Sequence, residues 1–287
     1  MRTLLIVGCG DVVRRTLPEL AKRWRIIALV RRHDPALRAL GVRQIIGDLD
    51  DRASLRRLAG VADAVIHSAP PPTEGKTDSR TRRLLAALAR GTSPACLAYI
   101  STSGVYGDCA GAWVPETRPP NAQSPRGARR VDAERQLRAY GVRSGCTVSL
   151  LRAPGIYAAD RLPLERLHKG LPVLSADQDS YTNHIHAADL GRACSAALRQ
   201  AHPGRAYNIS DDSDLPMGAW FDALADAFAL PRPPRISRAE AAKVLPPMQW
   251  SFMRESRRLI NTRMKRELKL RLHYPTVAVG IAEAQSL

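Results

Sequence analysis

The stretch from Leu4 to Arg32 constrains the fold of this chain more than any other. An apolar run, Leu4-Leu5-Ile6-Val7, stops at Gly8-Cys9-Gly10. A helical pattern follows, and a second apolar run, Ile26-Ile27-Ala28-Leu29-Val30, ends in Arg31-Arg32. This reads as strand, turn, helix and strand. Glycines at such a turn let the backbone approach a pyrophosphate, and the free N–H groups opening the next helix supply donors and a positive dipole end.

The alternation continues down the chain. Strands are expected at 43–46, 64–67, 97–100 and 147–151, with a late strand near Ala206 to Ile209. Between them, 77–90 carries Leu84, Leu85, Leu88 and Ala89 at the period of a half-buried helix, and 127–140 and 187–198 read as further helices. Strands alternating with helices imply an α/β chain with a Rossmann-like, doubly wound parallel sheet, whose ligands lie beyond the carboxyl ends of the strands. Residues 1–155 are expected to form this domain, with 184–210 returning to it. Residues 156–183 and 211–287 form a smaller, mostly helical substrate-side lobe.

Composition narrows the partners. An apolar fraction of 45% and a charged fraction of 25% are those of a globular protein. No apolar run approaches the roughly 20 residues of a membrane span. Met1-Arg2-Thr3 runs straight into the first strand, so no signal peptide and a cytoplasmic location are the expectation. The formal charge of +17 is carried largely by arginines spread along the chain, which suits an acidic small ligand. With aromatics at 5% and no nucleic-acid module legible, specific nucleic-acid binding is not expected. The five cysteines are scattered and odd in number, and no His–carboxylate cluster has ligand spacing, so neither disulfide nor metal is expected.

The residue ending the second strand discriminates between cofactors. A carboxylate there holds the ribose hydroxyls of NAD, whereas Arg31 and Arg32 present guanidiniums that can fork onto the additional phosphate of NADP. NADP is therefore favoured over NAD, with Asp34 as a residual ribose ligand.

Taken together, an ordered series of motifs resembles the extended short-chain dehydrogenases/reductases, the family of NAD-dependent sugar epimerases and dehydratases. The carriers are Gly8-x-Gly10, Asp48-Leu49, Val65 to Ala69, Ile100 to Gly107, Ser124-Pro125, Leu151 to Tyr157, and His184 to Leu190. The resemblance implies a dinucleotide held by Gly8, Gly10, Asp11, Val12, Asp48, Leu49, Ser68, Ala69, Pro70, Ser101 and Pro154. It also implies a hydroxyl on the substrate oxygen, from Thr102 or Ser103.

Two departures stand out. The family's third glycine is replaced by Val13, which should push the first helix away from its strand. The family's Tyr-x-x-x-Lys acid–base pair is replaced by Arg126 and Arg130. A guanidinium, with a pKa above about 12, cannot exchange protons near neutrality. Arg130 can imitate the lysine as a cation, but Arg126 cannot imitate the tyrosine. Tyr106, His184 and His186 then become candidates for the missing proton donor, and Arg126 with Arg152 for an acidic substrate. Two functions follow: an NADP(H)-linked oxidoreductase or epimerase/dehydratase-like enzyme acting on an acidic small molecule or nucleotide sugar, or a non-catalytic NADP(H)-binding sensor or scaffold. The arginine-rich faces of 77–90 and 127–140 argue against a tight apolar dimer and for a monomer or weak homodimer.

Overall fold

The computed structural model describes residues 1–286. Its first strand, β1 (Thr3–Val7), shows how the sequence dictates the layers. Leu4 and Ile6 point into one core and Leu5 and Val7 into the other, as the period of two requires. The chain then forms α1 (Asp11–Arg14), α2 (Leu17–Ala21), β2 (Arg25–Val30), α3 (Pro35–Ala39), β3 (Arg43–Ile46) and β4 (Ala64–His67). It continues through α4 (Ser79–Leu88), β5 (Cys96–Thr102), α5 (Pro125–Ser144), β6 (Thr147–Ala153), α6 (Ala187–Gln200) and β7 (Ala206–Asn208). The seven strands pair in the order β7-β6-β5-β4-β1-β2-β3, all parallel. The strand order reverses between β1 and β4, which places the crevice for a ligand above their carboxyl ends.

The first helix differs from the continuous one the pattern suggests. α1 ends at Arg14, and α2 starts at Leu17 with Pro18 in its first turn, where its missing N–H costs nothing. Val13 is buried in the core beneath α1. Close approach in this layer is made possible instead by Gly191 of α6, where a Cβ would stand 2.2 Å from Thr16 Cγ2.

α5 also runs longer than expected, because Ser124 caps it by accepting the Gly127 N–H at 3.1 Å and Pro125 occupies its first position. Gly145, in the left-handed conformation, ends it.

The small lobe has its own core of Tyr157, Leu167, Val173, Trp220, Phe221 and Leu224. A parallel pair of short strands, Gly155–Tyr157 and His184–His186, joins it to the sheet. Helices at Pro247–Met253, Thr262–Glu267 and Val277–Gln285 complete the C-terminal part. Of these, Thr262–Glu267 packs Met264 into the large core beside β7 rather than into the lobe. No helix among the described residues is long and apolar enough to cross a membrane.

Candidate functional site

The glycine turn sits at the switch point. Gly8 has φ +89°, and a Cβ there would stand 2.4 Å from the Ala69 backbone nitrogen. Only glycine lets β1 and β4 end side by side. Ser68 locks the two ends together, its hydroxyl donating to the Gly8 carbonyl, and the Ala69 N–H donates to Val7 O at 3.0 Å. Gly10 is different: a Cβ on it would meet nothing within 4 Å. Its surroundings are open, and the first turn of α1 has no side-chain cap on its N–H groups. The Asp11 carboxylate, which would repel a phosphate, is drawn aside by Arg15 at 3.1 Å and Arg161 at 2.7 Å. The turn therefore fits the group that the sequence implies.

Beyond β2, Arg31 and Arg32 are exposed and have no ion pair or hydrogen bond among the described residues. Asp34 is already engaged. It caps α3 by accepting from Ala36 N at 3.0 Å, and it pairs with Arg14. Asp48 lies half-buried at the end of β3, accepting the Asp50 N–H at 2.9 Å, with Leu49 buried beside it and Pro70 exposed across the crevice. Pro154 is half-buried where β6 turns into the lobe.

The second half of the site is built by α5. Residues 126, 130, 134 and 138 recur every fourth position and form one row. Arg130 donates to Tyr99 Oη and Ile100 O, both at 2.8 Å, and Glu134 accepts the Ser101 hydroxyl at 2.7 Å. This row faces β5 over two turns. Gly127 lies against the Gly104 carbonyl, where a Cβ would stand 2.9 Å away, so the start of α5 abuts the turn after β5. Arg126 is thus carried past the strand end to the Thr102–Gly104 turn. Arg126 is an exposed residue with no salt bridge or hydrogen bond among the described residues; its guanidinium lies 4.0 Å over the ring of Phe252, and partial burial lowers its pKa against the pull of Glu255. Thr102 is half-buried and accepts the Gly104 N–H at 3.2 Å through Oγ1, which leaves its own O–H to donate. Ser103 is buried, 5% exposed, in the first turn of the following short helix.

Several expected site residues are absorbed into structure. Arg152 is a correction: it is 1% exposed, forks onto Glu134 through Nε at 3.0 Å and Nη2 at 2.7 Å, and donates to Tyr106 Oη at 2.8 Å. It cannot reach a substrate. Tyr106 is corrected likewise: it is buried, and its hydroxyl donates to Asn208 Oδ1 at 2.8 Å while accepting from Arg152. Burial raises its pKa, against the pull of Arg152. Ser101 belongs to this network too, its hydroxyl donating to Glu134. The network joins the ends of β5, β6 and β7 to the loop at Val114–Glu116 and to Ile260.

The two histidines are also corrections. His184 packs between Tyr157 and Trp220, and burial pushes its pKa down to about 3. His186 caps α6 by accepting the Ala188 N–H at 3.3 Å, stacks on Tyr274 at 3.6 Å and is shifted down by burial despite Glu283. Both rings are buried and engaged by neighbouring side chains. His67 is buried and shares a hydrogen bond with the Thr81 hydroxyl at 2.9 Å.

Two residues that the sequence did not single out stand out in the structure. Phe252 emerges from the lobe onto Arg126. Asp211 follows β7 and lines a cavity of about 210 Å³ with Asn183, Trp113 and Arg258; burial pushes its carboxyl up to about 8. The position of Asp211 just past a strand's carboxyl end was the available signal. No such signal marks Phe252. No cluster of potential metal ligands exists among the described residues.

This sheet, with its glycine turn at the switch point, defines a doubly wound α/β protein built to receive a ligand above β1 and β4. The model of the NAD dependent epimerase/dehydratase family matches residues 5–210, and the chain belongs to that family. A 2-alkyl-3-oxoalkanoate reductase from Stenotrophomonas maltophilia is 29% identical over 80% of this chain and 76% of its own. A conserved protein of unknown function from Silicibacter pomeroyi is 30% identical, with a TM-score of 0.80 over 100% of this chain and 99% of that one. A dTDP-glucose 4,6-dehydratase from Streptomyces venezuelae, solved with NAD bound, shares the fold at 22% identity and TM-score 0.79, covering 100% of this chain and 96% of its own.

Proposed function

We propose that this protein is an NADP(H)-linked oxidoreductase that acts on a small carboxylate bearing a ketone or the corresponding alcohol. The observation that carries this reading is Arg126, an exposed residue with no salt bridge or hydrogen bond among the described residues, next in sequence to Gly127, which abuts the turn after Thr102. An Arg fork matches a carboxylate in geometry as well as charge. The resemblance to a reductase of 2-alkyl-3-oxoalkanoates, which are carboxylates with a ketone, supports the same substrate class.

When bound, the cofactor supplies or accepts hydride. Gly8 and Gly10 admit its pyrophosphate to the first-turn N–H groups of α1, and the free pair Arg31 and Arg32 favours a phosphate on its ribose. Arg126 anchors the substrate carboxylate. The Thr102 hydroxyl donates a hydrogen bond to the reacting oxygen, and the proton that balances hydride transfer is exchanged with solvent water, because neither Arg126 nor Arg130 releases one. Arg130 braces α5 on Tyr99 and Ile100 and keeps a positive charge beside the site.

The test is a titration with NADPH and NADH, followed by turnover of a panel of 3-oxo acids and nucleotide sugars. NADPH binding with oxo-acid turnover, lost in Arg126→Gln and Thr102→Val, is the expected result. A second reading, a cofactor-binding protein without turnover, is favoured by the replacement of both acid–base residues. Binding without turnover, unchanged in Arg126→Tyr, would establish it and refute the first.

A further inference from the structure

Phe252 is the unexplained neighbour of Arg126. It is 47% exposed although it is a large aromatic residue, and its place is set by the adjoining Met253. Met253 is buried in the lobe core, and its carbonyl accepts the Ser180 hydroxyl at 2.6 Å. The ring is therefore held at the site by the lobe, and the Arg126 guanidinium covers part of it at 4.0 Å. Such stacking orients the guanidinium plane and leaves its edge N–H groups to fork onto an acceptor. The nearest acidic competitor, Glu255, is already paired with Arg257 at 2.8 Å. A ligand at this place meets a charged edge and, directly against it, bare aromatic surface.

We infer that Phe252 is a specificity residue that selects carboxylates carrying an aliphatic chain: the carboxylate takes the edge of Arg126, and the adjoining methylenes cover the exposed part of the Phe252 ring. This rests on the reading of Arg126 as a carboxylate anchor. The sugar of a nucleotide sugar offers no alkyl chain for the ring, whatever acidic group it brings to the edge. Full burial of a methylene contributes about 0.8 kcal/mol, a fourfold change in affinity, and contact on one side contributes about half of that, or twofold.

The experiment measures, by calorimetry, the affinity of the NADPH-loaded protein for straight-chain carboxylates from acetate to octanoate. The dissociation constant should fall about twofold to fourfold per methylene over the first few carbons. Phe252→Ala should flatten that slope while leaving acetate binding within a few-fold of its original value, and Phe252→Leu should keep most of it. Arg126→Gln should weaken all chain lengths by a similar factor. Thermal melting and NADPH affinity confirm that each variant is folded. A slope unchanged in Phe252→Ala, or acids bound with no chain-length dependence, overturns the inference and leaves Arg126 as the anchor. Failure of every acid to bind the unmodified protein removes the Arg126 reading as well.

Discussion

Replacing Arg152 by methionine tests whether this arginine belongs to the scaffold rather than to the site. Both members of its pair with Glu134 are 1% exposed, so solvent screening does not reduce the loss. Removing Arg152 leaves buried Glu134 with only the part-exposed Arg138 at 3.3 Å and the Ser101 hydroxyl, and breaking such a buried pair costs about 3–5 kcal/mol at most. For 287 residues an unfolding entropy of about 2.1 cal/mol/K per residue gives roughly 0.6 kcal/mol/K, so the melting temperature should fall by about 5–8 °C. The double variant Arg152→Met with Glu134→Leu should recover at least half of that loss, because an apolar pair does not leave an orphaned charge. Differential scanning calorimetry reads the first quantity, and NADPH titration well below the transition reads the second. Cofactor affinity should stay within about twofold in both variants. A melting temperature that does not move, or one that stays constant while affinity collapses, would refute the structural role assigned to Arg152.

Gly8→Ala should cost about 1–2 kcal/mol from its left-handed backbone alone. The 2.4 Å approach to Ala69 adds to that by splaying β1 from β4, so NADPH affinity should fall more than tenfold; an unaffected dissociation constant would mean that the turn holds no cofactor. Arg31→Ala combined with Arg32→Ala should weaken NADPH far more than NADH, and equal losses in parallel titrations would sink the phosphate fork. Asp211 has a folded pKa near 8, above its unfolded value near 4, so its contribution to stability is full below about pH 4 and is lost as pH rises through 8. Asparagine does not ionise, so the melting temperature of Asp211→Asn relative to the unmodified protein should climb between pH 5 and 9. A difference that is flat with pH would show that Asp211 is not a buried, protonated carboxyl.

Much of the architecture was legible because it follows from local periodicity. The alternation of Leu4 and Ile6 with Leu5 and Val7, and the helical spacing of Leu84, Leu85 and Leu88, specify elements within a few residues. The order of those elements leaves a parallel sheet as the outcome. Gly8 was readable for the same reason, since a strand that stops at a glycine turn needs a backbone other residues avoid. The break between α1 and α2 had one local signal, Pro18, which the interior of a continuous helix does not accommodate, and the apolar pattern around it did not show where the break falls.

The acid–base and substrate candidates were the least legible. Tyr106, Arg152, Ser101, His184 and His186 all stand at strand ends, where the sequence rightly places function. Whether such a residue faces the crevice or a buried partner depends on side-chain direction and on segments far along the chain. Glu134 and Asn208 claim Arg152 and Tyr106, and Trp220 claims His184.

The sequence by itself determined that Arg126 and Arg130 stand where a tyrosine and a lysine are expected, since that is a matter of residue identity and spacing. Tertiary structure alone decided their separate fates. Packing of α5 against β5 ties Arg130 to Tyr99 and Ile100, while the lobe brings Phe252 onto Arg126 and leaves its charge unpaired. Contacts between residues 31 positions apart, as for Arg130 and Tyr99, or still further, as for Arg126 and Phe252, carry no local periodicity, so only the folded chain reveals them.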